Sequence, residues 1–112
     1  MSKKNSAELD TALSSYYHGE EQVTALIMLK VDTKEADNIS IALSGFDQVS
    51  DVFMVTGDVD IIFKAKFSSY GLIKKFVMDN LASVPGIKET QTLMVVTTYK
   101  EGDKIIDIGD GK

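Results

Sequence analysis

Near the middle of the chain, a short segment rich in Gly and Asp is flanked by two stretches in which every second residue is apolar and would lie on the same face of a strand. From Val52 to Phe67 the sequence reads VFMVTGDVDIIFKAKF. Such alternation is typical of β-strands with one better-buried face, and Gly and Asp are common turn residues. The stretch therefore predicts a β-hairpin whose turn is Thr56-Gly57-Asp58-Val59-Asp60.

The segment before this hairpin predicts a strand and a helix. Residues 23–31 carry apolar side chains at every odd position, with Leu26 and Met28 on the opposite side, which predicts a core strand covered on both faces. Asp32 followed by Glu35 resembles a capping box, and Gly45 offers a C-terminal stop. The apolar positions with helical spacing after the start signal are Ala36, Ile39, Leu43 and Phe46, of which Phe46 directly follows Gly45.

A second helix and further strands are predicted after the hairpin. Ser68 or Ser69 caps the helix, and the segment Val84-Pro85-Gly86-Ile87 ends it. Residues 89–99 predict a long final core strand, and Glu101-Gly102-Asp103 predicts a turn into a short strand over residues 105–108. The apolar positions expected along the second helix are Leu72, Ile73, Phe76, Val77 and Leu81.

Residues 1–22 predict an N-terminal arm with one short helix. Its apolar stripe suits packing against the domain or a neighbouring subunit rather than a membrane, because its polar side carries Glu8 and Asp10. His18, the single histidine, is interpreted as a solvated helix end rather than a ligand or base. The stripe consists of Leu9, Ala12, Leu13 and Tyr16, with Gly19 as the stop.

Apolar positions recur at an offset of 38 residues, which indicates an internal repeat. The matched positions are Val23 with Ile61, Ala25 with Phe63, Ile27 with Ala65, and Leu29 with Phe67. Two strand-helix-strand units joined by a hairpin predict an α+β, ferredoxin-like βαββαβ fold with both helices on one face of an antiparallel sheet. The other face then exposes Leu26, Met28 and Ile62, and such an apolar surface predicts at least a dimer.

Composition narrows the functional classes. The chain has 112 residues, which suits one domain, a net charge of −5, and 12 basic residues that are all Lys. Without Arg, a chain of this charge is not expected to bind nucleic acid alone. The absence of Cys fits a reducing compartment, and there is no apolar signal core or membrane-length run, so we expect a cytoplasmic protein.

The predicted turn could also hold a small zwitterion. Gly57 permits positive φ, and Asp58 and Asp60 place carboxylates beside exposed backbone N–H groups. Taken alone, however, the G-D-x-D pattern is more often explained by ordinary turn formation, because Gly and Asp are common in turns that bind no ligand.

The order of these elements resembles the effector-binding, oligomerising domain of the Lrp/AsnC (feast/famine) regulators, often called the RAM domain. The resemblance covers residues 23–99 and is carried by the ALIMLKV strand, by V-F-M-V-T-G-D-V-D, by V-P-G-I and by E-T-Q-T. Val59 departs from the family, which often has an aromatic residue there. The implied organisation is an arm over 1–22, a ligand-binding domain over 23–99, and a turn with a short strand over 100–112.

The resemblance implies an amino-acid site at a subunit interface near the G-D-x-D turn, and further assembly of dimers into rings. Carried across, the ligand-binding residues are Thr56, Gly57, Asp58, Asp60, Thr90 and Thr92. Residues 1–22 have room for one helix, whereas a helix-turn-helix module needs two or three. The chain is therefore interpreted as a stand-alone amino-acid-sensing module that regulates transcription indirectly, by co-assembly with full-length relatives.

Two other functional classes remain open. The first is a ferredoxin-like dimeric enzyme. This chain lacks the Arg, Cys or core His that the chemistries of such enzymes use, although Asp58 and Asp60 could serve as an acid-base pair or a Mg²⁺ site. A purely structural assembly module without a ligand is compatible with the same turn. We expect no enzyme activity, no cofactor and no metal.

Overall fold

A four-stranded antiparallel sheet carries two helices on one of its faces. The computed structural model describes residues 22–106. The strands are β1 Val23–Val31, β2 Val49–Met54, β3 Ile61–Phe67 and β4 Ile87–Met94. The helices are α1 Ala36–Ser44, preceded by a 3-10 turn Thr33–Glu35, and α2 Tyr70–Lys75, which continues as a π-helical segment Phe76–Leu81. The strand order β2-β3-β1-β4 confirms the ferredoxin-like prediction.

The core lies between the helices and the alternating apolar rows of β1 and β3. All eight positions matched at an offset of 38 residues are buried. β1 and β3 pair antiparallel at the centre of the sheet, with Ile27 opposite Phe63 and Leu29 opposite Ile61. The repeat also gives the strand starts, since β1 and β3 begin 38 residues apart, as do β2 and β4. The predicted hairpin is confirmed.

Phe76 joins α2 to the rest of the core. Its ring centroid lies 5.2 Å from that of Phe46, 5.3 Å from that of Phe67 and 6.3 Å from that of Phe63. The edge-on and tilted geometries are the favourable ones for aromatic pairs. In the π-helical segment the Ala82 N–H donates to the Val77 carbonyl at 3.2 Å, which widens the helix by one residue.

This wider turn changes which side chains of α2 face the sheet. Phe76 and Leu81 lie one π-turn apart and are both buried, whereas Leu72 is 45% exposed. Leu72, one of the apolar positions expected along the second helix, is therefore not part of the buried surface. The five-residue spacing of Phe76 and Leu81 follows the π-helical period rather than the regular 3.6-residue period.

The predicted helix caps are partly confirmed. Ser69 Oγ accepts a hydrogen bond from the Leu72 N–H at 3.3 Å, so Ser69 rather than Ser68 is the cap of α2. Asp32 Oδ1 accepts from the Lys34 N–H at 3.2 Å. The capping box is incomplete because the Asp32 N–H donates to the Gly86 carbonyl at 2.8 Å instead of to Glu35. Gly45 is the C-cap of α1, but it keeps a helical φ of −87°.

The sheet surface opposite the helices, here called the open face, is covered by no helix among residues 22–106. Leu26, Met28 and Ile62 lie on it as predicted, because β1 and β3 bury only their odd-numbered residues. The strand pairing adds Phe53 opposite Ile62 and Leu93 opposite Leu26. Phe53 is 57% exposed. On β1 itself, Leu26 and Met28 are half-buried.

The last core strand is shorter than predicted. β4 ends at Met94 rather than at residue 99, and the Val95 N–H donates to the Thr24 carbonyl at 2.9 Å. β1 begins only one residue before Thr24, so β4 has no further strand with which to pair. The predicted arm helix, including His18, lies outside the described residues, as do residues 107 and 108.

A small hairpin follows β4 and folds back over the open face. It consists of β5 Lys100–Glu101 and β6 Lys104–Ile105, joined by Gly102 and Asp103 with φ of 57° and 69°. Glu101 Oε2 lies 2.7 Å from Lys64 Nζ and 3.3 Å from Lys66 Nζ. Lys64 Nζ also lies 3.4 Å from Asp51 Oδ2. Glu101 thus ties the β5-β6 hairpin to β3 by two ion pairs, and Lys64 in turn joins β3 to Asp51 on β2.

The ion pairs shift the pKa values of Glu101 and Lys64. The hydrogen bond from Lys64 lowers the pKa of the Glu101 carboxyl, against an opposing effect of burial. The same bond, with the nearby charges of Glu101 and Asp51, raises the pKa of the Lys64 ammonium. Each group therefore favours the charged form when the hairpin is docked.

Docking of the β5-β6 hairpin is expected to be strongest between the ordinary pKa values of these groups, 4.5 and 10.5. The Glu101 contribution is fully present above pH 4.5 and is lost as the pH falls through its lowered pKa, while the Lys64 contribution is lost as the pH rises through its raised pKa. Methyl NMR signals of Ile105, followed from acid to alkaline pH, should report undocking at both extremes. A Glu101→Gln variant should lose the acid transition, and an unchanged transition would contradict the assignment.

Gly86 allows the chain to enter β4 directly beside the start of the α1 region. Its φ is +95°, and a Cβ built there would lie 2.9 Å from both Cβ and Cγ of Glu35. This crossing explains why the V-P-G-I motif requires glycine.

Gly86→Ala should lower the free energy of unfolding by about 2 kcal/mol or more, since it combines backbone strain with overpacking. Gly71→Ala is the matched control, because its added methyl group meets only Ser69 Oγ at 3.9 Å within α2, and it should be neutral or stabilise by about 0.4–1 kcal/mol. Urea denaturation measures both. Equal stabilities for the two variants would rule out the tight crossing.

Candidate functional site

The loop that follows β2 is held against the end of β1 by Asp60. The Asp60 N–H donates to the Leu29 carbonyl at 2.8 Å, and the Asp60 carbonyl accepts from the Val55 N–H at 2.8 Å. In addition, Asp60 Oδ2 accepts from the Val31 N–H at 2.9 Å. Three hydrogen bonds from one residue therefore fix where the loop leaves the sheet.

The tip of this loop presents unused hydrogen-bond donors. Thr56, Gly57 and Asp58 are exposed. Within the described residues, the backbone N–H groups of residues 56–59 donate no hydrogen bond. Gly57 has a φ of +126°, and a Cβ built on it would meet no atom within 4 Å. The glycine is needed for backbone conformation, and the space around it is open to a ligand.

The donors and carboxylates together suit a small zwitterion. Backbone N–H groups bind carboxylates, and the exposed Asp58 carboxylate can accept from an ammonium group. Asp60 retains one carboxylate oxygen, Oδ1, beyond the one bonded to Val31. The structure therefore brings four of the six predicted site residues, Thr56, Gly57, Asp58 and Asp60, into one loop.

The two threonines lie elsewhere in the same protomer. Thr90 pairs with Leu29 and Thr92 with Ile27 on β4, so both side chains lie on the helix-covered face of the sheet. Ile61, which follows the loop, pairs with Leu29 from the other side. Two strand spacings of about 4.8 Å separate the flanking backbones. Thr90 is thus at the same end of the sheet as the loop but does not join it within one chain.

Thr90 and Thr92 instead line a groove between α2 and β4, which the sequence did not indicate. The groove has two adjoining parts of about 220 and 380 Å³, and Val77 and Met78 line both. Met78 is 62% exposed and was not part of the predicted stripe. Met78 lies in the π-helical segment, which the periodic pattern of apolar residues does not predict.

The described residues add two negative findings. No group of three or more His, Asp or Glu side chains within residues 22–106 is placed to hold a metal ion. In the same part of the chain, neither helix has the length and apolar character needed to cross a membrane.

Residues 24–105 match the family model described as the Lrp/AsnC ligand binding domain. The chain belongs to the Lrp/AsnC family. The matched range contains all six strands except for the first residue of β1, and it includes the loop of residues 56–60.

Relatives within the Lrp/AsnC family are longer than the matched region. The HTH-type transcriptional regulator FL11 of Pyrococcus horikoshii is 27% identical over 99 residues, which cover 88% of the present chain and 62% of FL11. The chain spans about half to three fifths of the length of the curated relatives it matches. These relatives are transcription regulators, so the chain shares its ligand-binding region with regulatory proteins.

Solved structures share the fold. TTHA0845 from Thermus thermophilus superposes with a TM-score of 0.66 at 22% identity, covering 70% of this chain and 99% of that one. The transcriptional regulator NMB0573 from Neisseria meningitidis, solved as a complex with L-Met, gives a TM-score of 0.67 at 23% identity, covering 75% of this chain and 56% of that one.

The hydrogen bonds of Asp60 lead to a stability prediction that separates its structural role from any ligand contact. Asp60→Ala leaves the Val31 N–H without its acceptor and should cost about 1–3 kcal/mol of unfolding free energy. Asp60→Asn keeps an acceptor oxygen and should cost less. Asp58→Ala removes an exposed side chain and should stay within about 0.5 kcal/mol of wild type. Urea denaturation compares the three, and an Asp60→Ala variant as stable as Asp58→Ala would contradict the anchoring role.

Proposed function

We propose that this chain is an amino-acid-sensing effector module that assembles into a dimer or a higher oligomer and acts on transcription without contacting DNA itself. The observation that carries the proposal is the loop of residues 56–59, whose backbone N–H groups have no acceptor within the described residues and lie beside the Asp58 carboxylate. A free amino acid carries the complementary groups, an α-carboxylate and an α-ammonium.

The proposed recognition divides the ligand between two protomers. The loop around Gly57 binds the α-carboxylate, and Asp58 with the remaining oxygen of Asp60 binds the α-ammonium. The ligand side chain points towards a neighbouring protomer, where Thr90 and Thr92 can select polar groups by hydrogen bonding. NMB0573, which shares this fold, was solved as a complex with L-Met, and this supports an amino acid as the ligand class.

The proposed mode of action is co-assembly with DNA-binding relatives. A net charge of −5 and the absence of Arg in the sequence disfavour binding to phosphate groups by this chain alone. FL11, by contrast, is an HTH-type regulator with additional length beyond the matched region. The TTHA0845 chain, 99% of which is covered by the match, shows that this fold also occurs in a chain of about the same extent as the matched region.

An enzymatic role is disfavoured in this proposal. Asp58 and Asp60 would have to supply an acid-base pair or a Mg²⁺ site, but Oδ2 of Asp60 is already bonded to the backbone of Val31. Hard cations usually take six or more oxygen ligands, which this loop does not offer. We therefore propose no catalytic activity.

The test is thermal unfolding in the presence of each of the twenty amino acids. One amino acid, or a chemically related group, should stabilise the protein by about 2.7 kcal/mol at a hundredfold excess over its dissociation constant. Asp58→Ala and Asp60→Asn should each weaken binding about tenfold or more, since charge-assisted hydrogen bonds contribute about 1.5–3 kcal/mol each.

Asp37→Ala is the matched control, because it removes an exposed carboxylate on α1, away from the loop. Its ligand response should equal that of wild type. Stabilisation that survives unchanged in the Asp58 and Asp60 variants would place the site elsewhere. The absence of stabilisation by any amino acid would instead favour a structural assembly module.

A further inference from the structure

An apolar groove runs along one edge of the sheet. Among the strands of residues 22–106, β4 pairs only with β1, so its outer edge has no neighbouring strand. The groove between β4 and α2 lies beside this edge, and the apolar side chains that line it include Ile73, Val77, Met78 and Met94. Met78 is 62% exposed. Folded proteins commonly cover both an edge strand and an apolar groove with a further segment of chain.

The chain enters the sheet at one end of this groove. Met94 lines the groove and pairs with Ala25 near the start of β1. The Val95 N–H donates to the Thr24 carbonyl at 2.9 Å. Gln22, the first described residue, comes two residues before Thr24 and therefore lies within about 7 Å of it. Residues 1–21 are thus joined to the domain beside the groove.

We propose that the N-terminal arm of the same protomer occupies this groove, with its apolar stripe against Met78. The lengths of the two partners agree. As a helix, residues 9–16 are about 12 Å long, and the backbone of β4 rises about 13 Å between Thr90 and Met94. Residues 17–22 can span up to about 20 Å, which is enough for the arm to turn back along the groove.

The charges of the arm and of the groove are complementary. The charged residues that line the groove are Lys74, Lys88 and Glu89, two lysines and one carboxylate that leave a net charge of +1. Residues 8–21 carry four carboxylates and no lysine, while both lysines of the arm precede this segment. The carboxylates are Glu8, Asp10, Glu20 and Glu21. An arm that turns back from Gln22 brings the last two near Lys74 and the first two towards Lys88, so opposite charges favour docking.

The covalent connection identifies the occupant. Any acidic amphipathic segment could fit such a groove, but the arm is attached at one end of it. Its effective concentration there is therefore about millimolar, which no separate chain at micromolar concentration matches.

The docked arm would also cover Thr90 and Thr92, which line the same groove. The ligand contact of these threonines then requires the arm to leave the groove. This consequence rests on the proposed function, whereas the docking itself does not.

Cysteine pairs test the docking in the full chain, which contains no Cys of its own. Leu9→Cys, Leu13→Cys and Tyr16→Cys are each combined with Met78→Cys. The matched control combines Ser14→Cys with Met78→Cys, because position 14 lies on the opposite side of the predicted helix at nearly the same distance along the chain. A disulfide requires Cα atoms within about 7 Å of each other. At least one stripe pair should therefore form an intramolecular disulfide about tenfold faster than the control, as followed by non-reducing electrophoresis and peptide mapping.

Limited proteolysis gives a second measurement without introduced thiols. Chymotrypsin cleaves after Tyr16 or Tyr17 once the arm leaves the groove. Leu13→Ser should raise the cleavage rate about tenfold or more, because it removes an apolar side chain from the contact, and Ser14→Ala should leave the rate unchanged. Lys88→Glu should raise the rate at about 0.01 M salt and less at about 1 M, where charges are screened. Urea unfolding checks that the domain remains folded.

Two results would overturn the inference. If no stripe pair forms a disulfide faster than the Ser14→Cys pair, the arm does not lie in the groove. If chains carrying Leu13→Cys, mixed with chains carrying Met78→Cys, form the disulfide readily while the double variant gives covalent dimers, the groove binds the arm of a neighbouring protomer instead. Neither measurement uses a ligand, so a failure here leaves the proposed function to its own test with the twenty amino acids.

Discussion

The rest of the fold depends on the burial of one face of the central strand pair. Ile27, Leu29, Ile61 and Phe63 are fully buried where β1 and β3 meet, and burial of each such side chain contributes about 1.5–3 kcal/mol. Both helices pack on this face, and Phe76, at the start of the π-helical continuation of α2, contacts three other rings there. Since strand side chains alternate, burying the odd positions of β1 and β3 necessarily turns the even positions towards the open face.

The end of the same strand pair fixes two loops, one of which is the candidate site. At the C-terminal end of β1, the Val31 N–H is bonded to the Asp60 carboxylate, and the next N–H, that of Asp32, is bonded to the Gly86 carbonyl. Two loops from different halves of the repeat thus satisfy adjacent backbone donors that would otherwise lack partners. The loop of residues 56–60 is held to the core at Asp60 while its tip remains free.

Sequence patterns predicted what depends on regular periods and failed where local hydrogen bonding overrides them. The 38-residue repeat identified the buried rows of β1 and β3, because burial on one face imposes a strict period of two. The end of β4 at Met94 could not be inferred from its own β-branched residues, since it is set by where β1 begins. The π-helical segment Phe76–Leu81 likewise arises from local backbone hydrogen bonding, which the pattern of apolar residues does not encode. In the candidate site, residues 56–60 are consecutive, so the sequence alone placed them close together. The placement of Thr90 and Thr92 required the strand order, because β1 separates them from that turn.

The separation of the threonines from the loop constrains how an effector could act. A ligand changes an assembly equilibrium only as far as it binds the assembled and free states with different affinity. A ligand held entirely by the loop of one protomer would bind both states alike, because Asp60 already fixes the base of that loop by three hydrogen bonds. In the proposed function, contacts from a second protomer would supply the required difference. If Thr90 and Thr92 act on the ligand at all, their distance from the loop within one chain means that they act across an interface. Ligand binding and assembly are then linked reciprocally: the amino acid stabilises the oligomer by the same free energy by which the oligomer strengthens its binding of the amino acid.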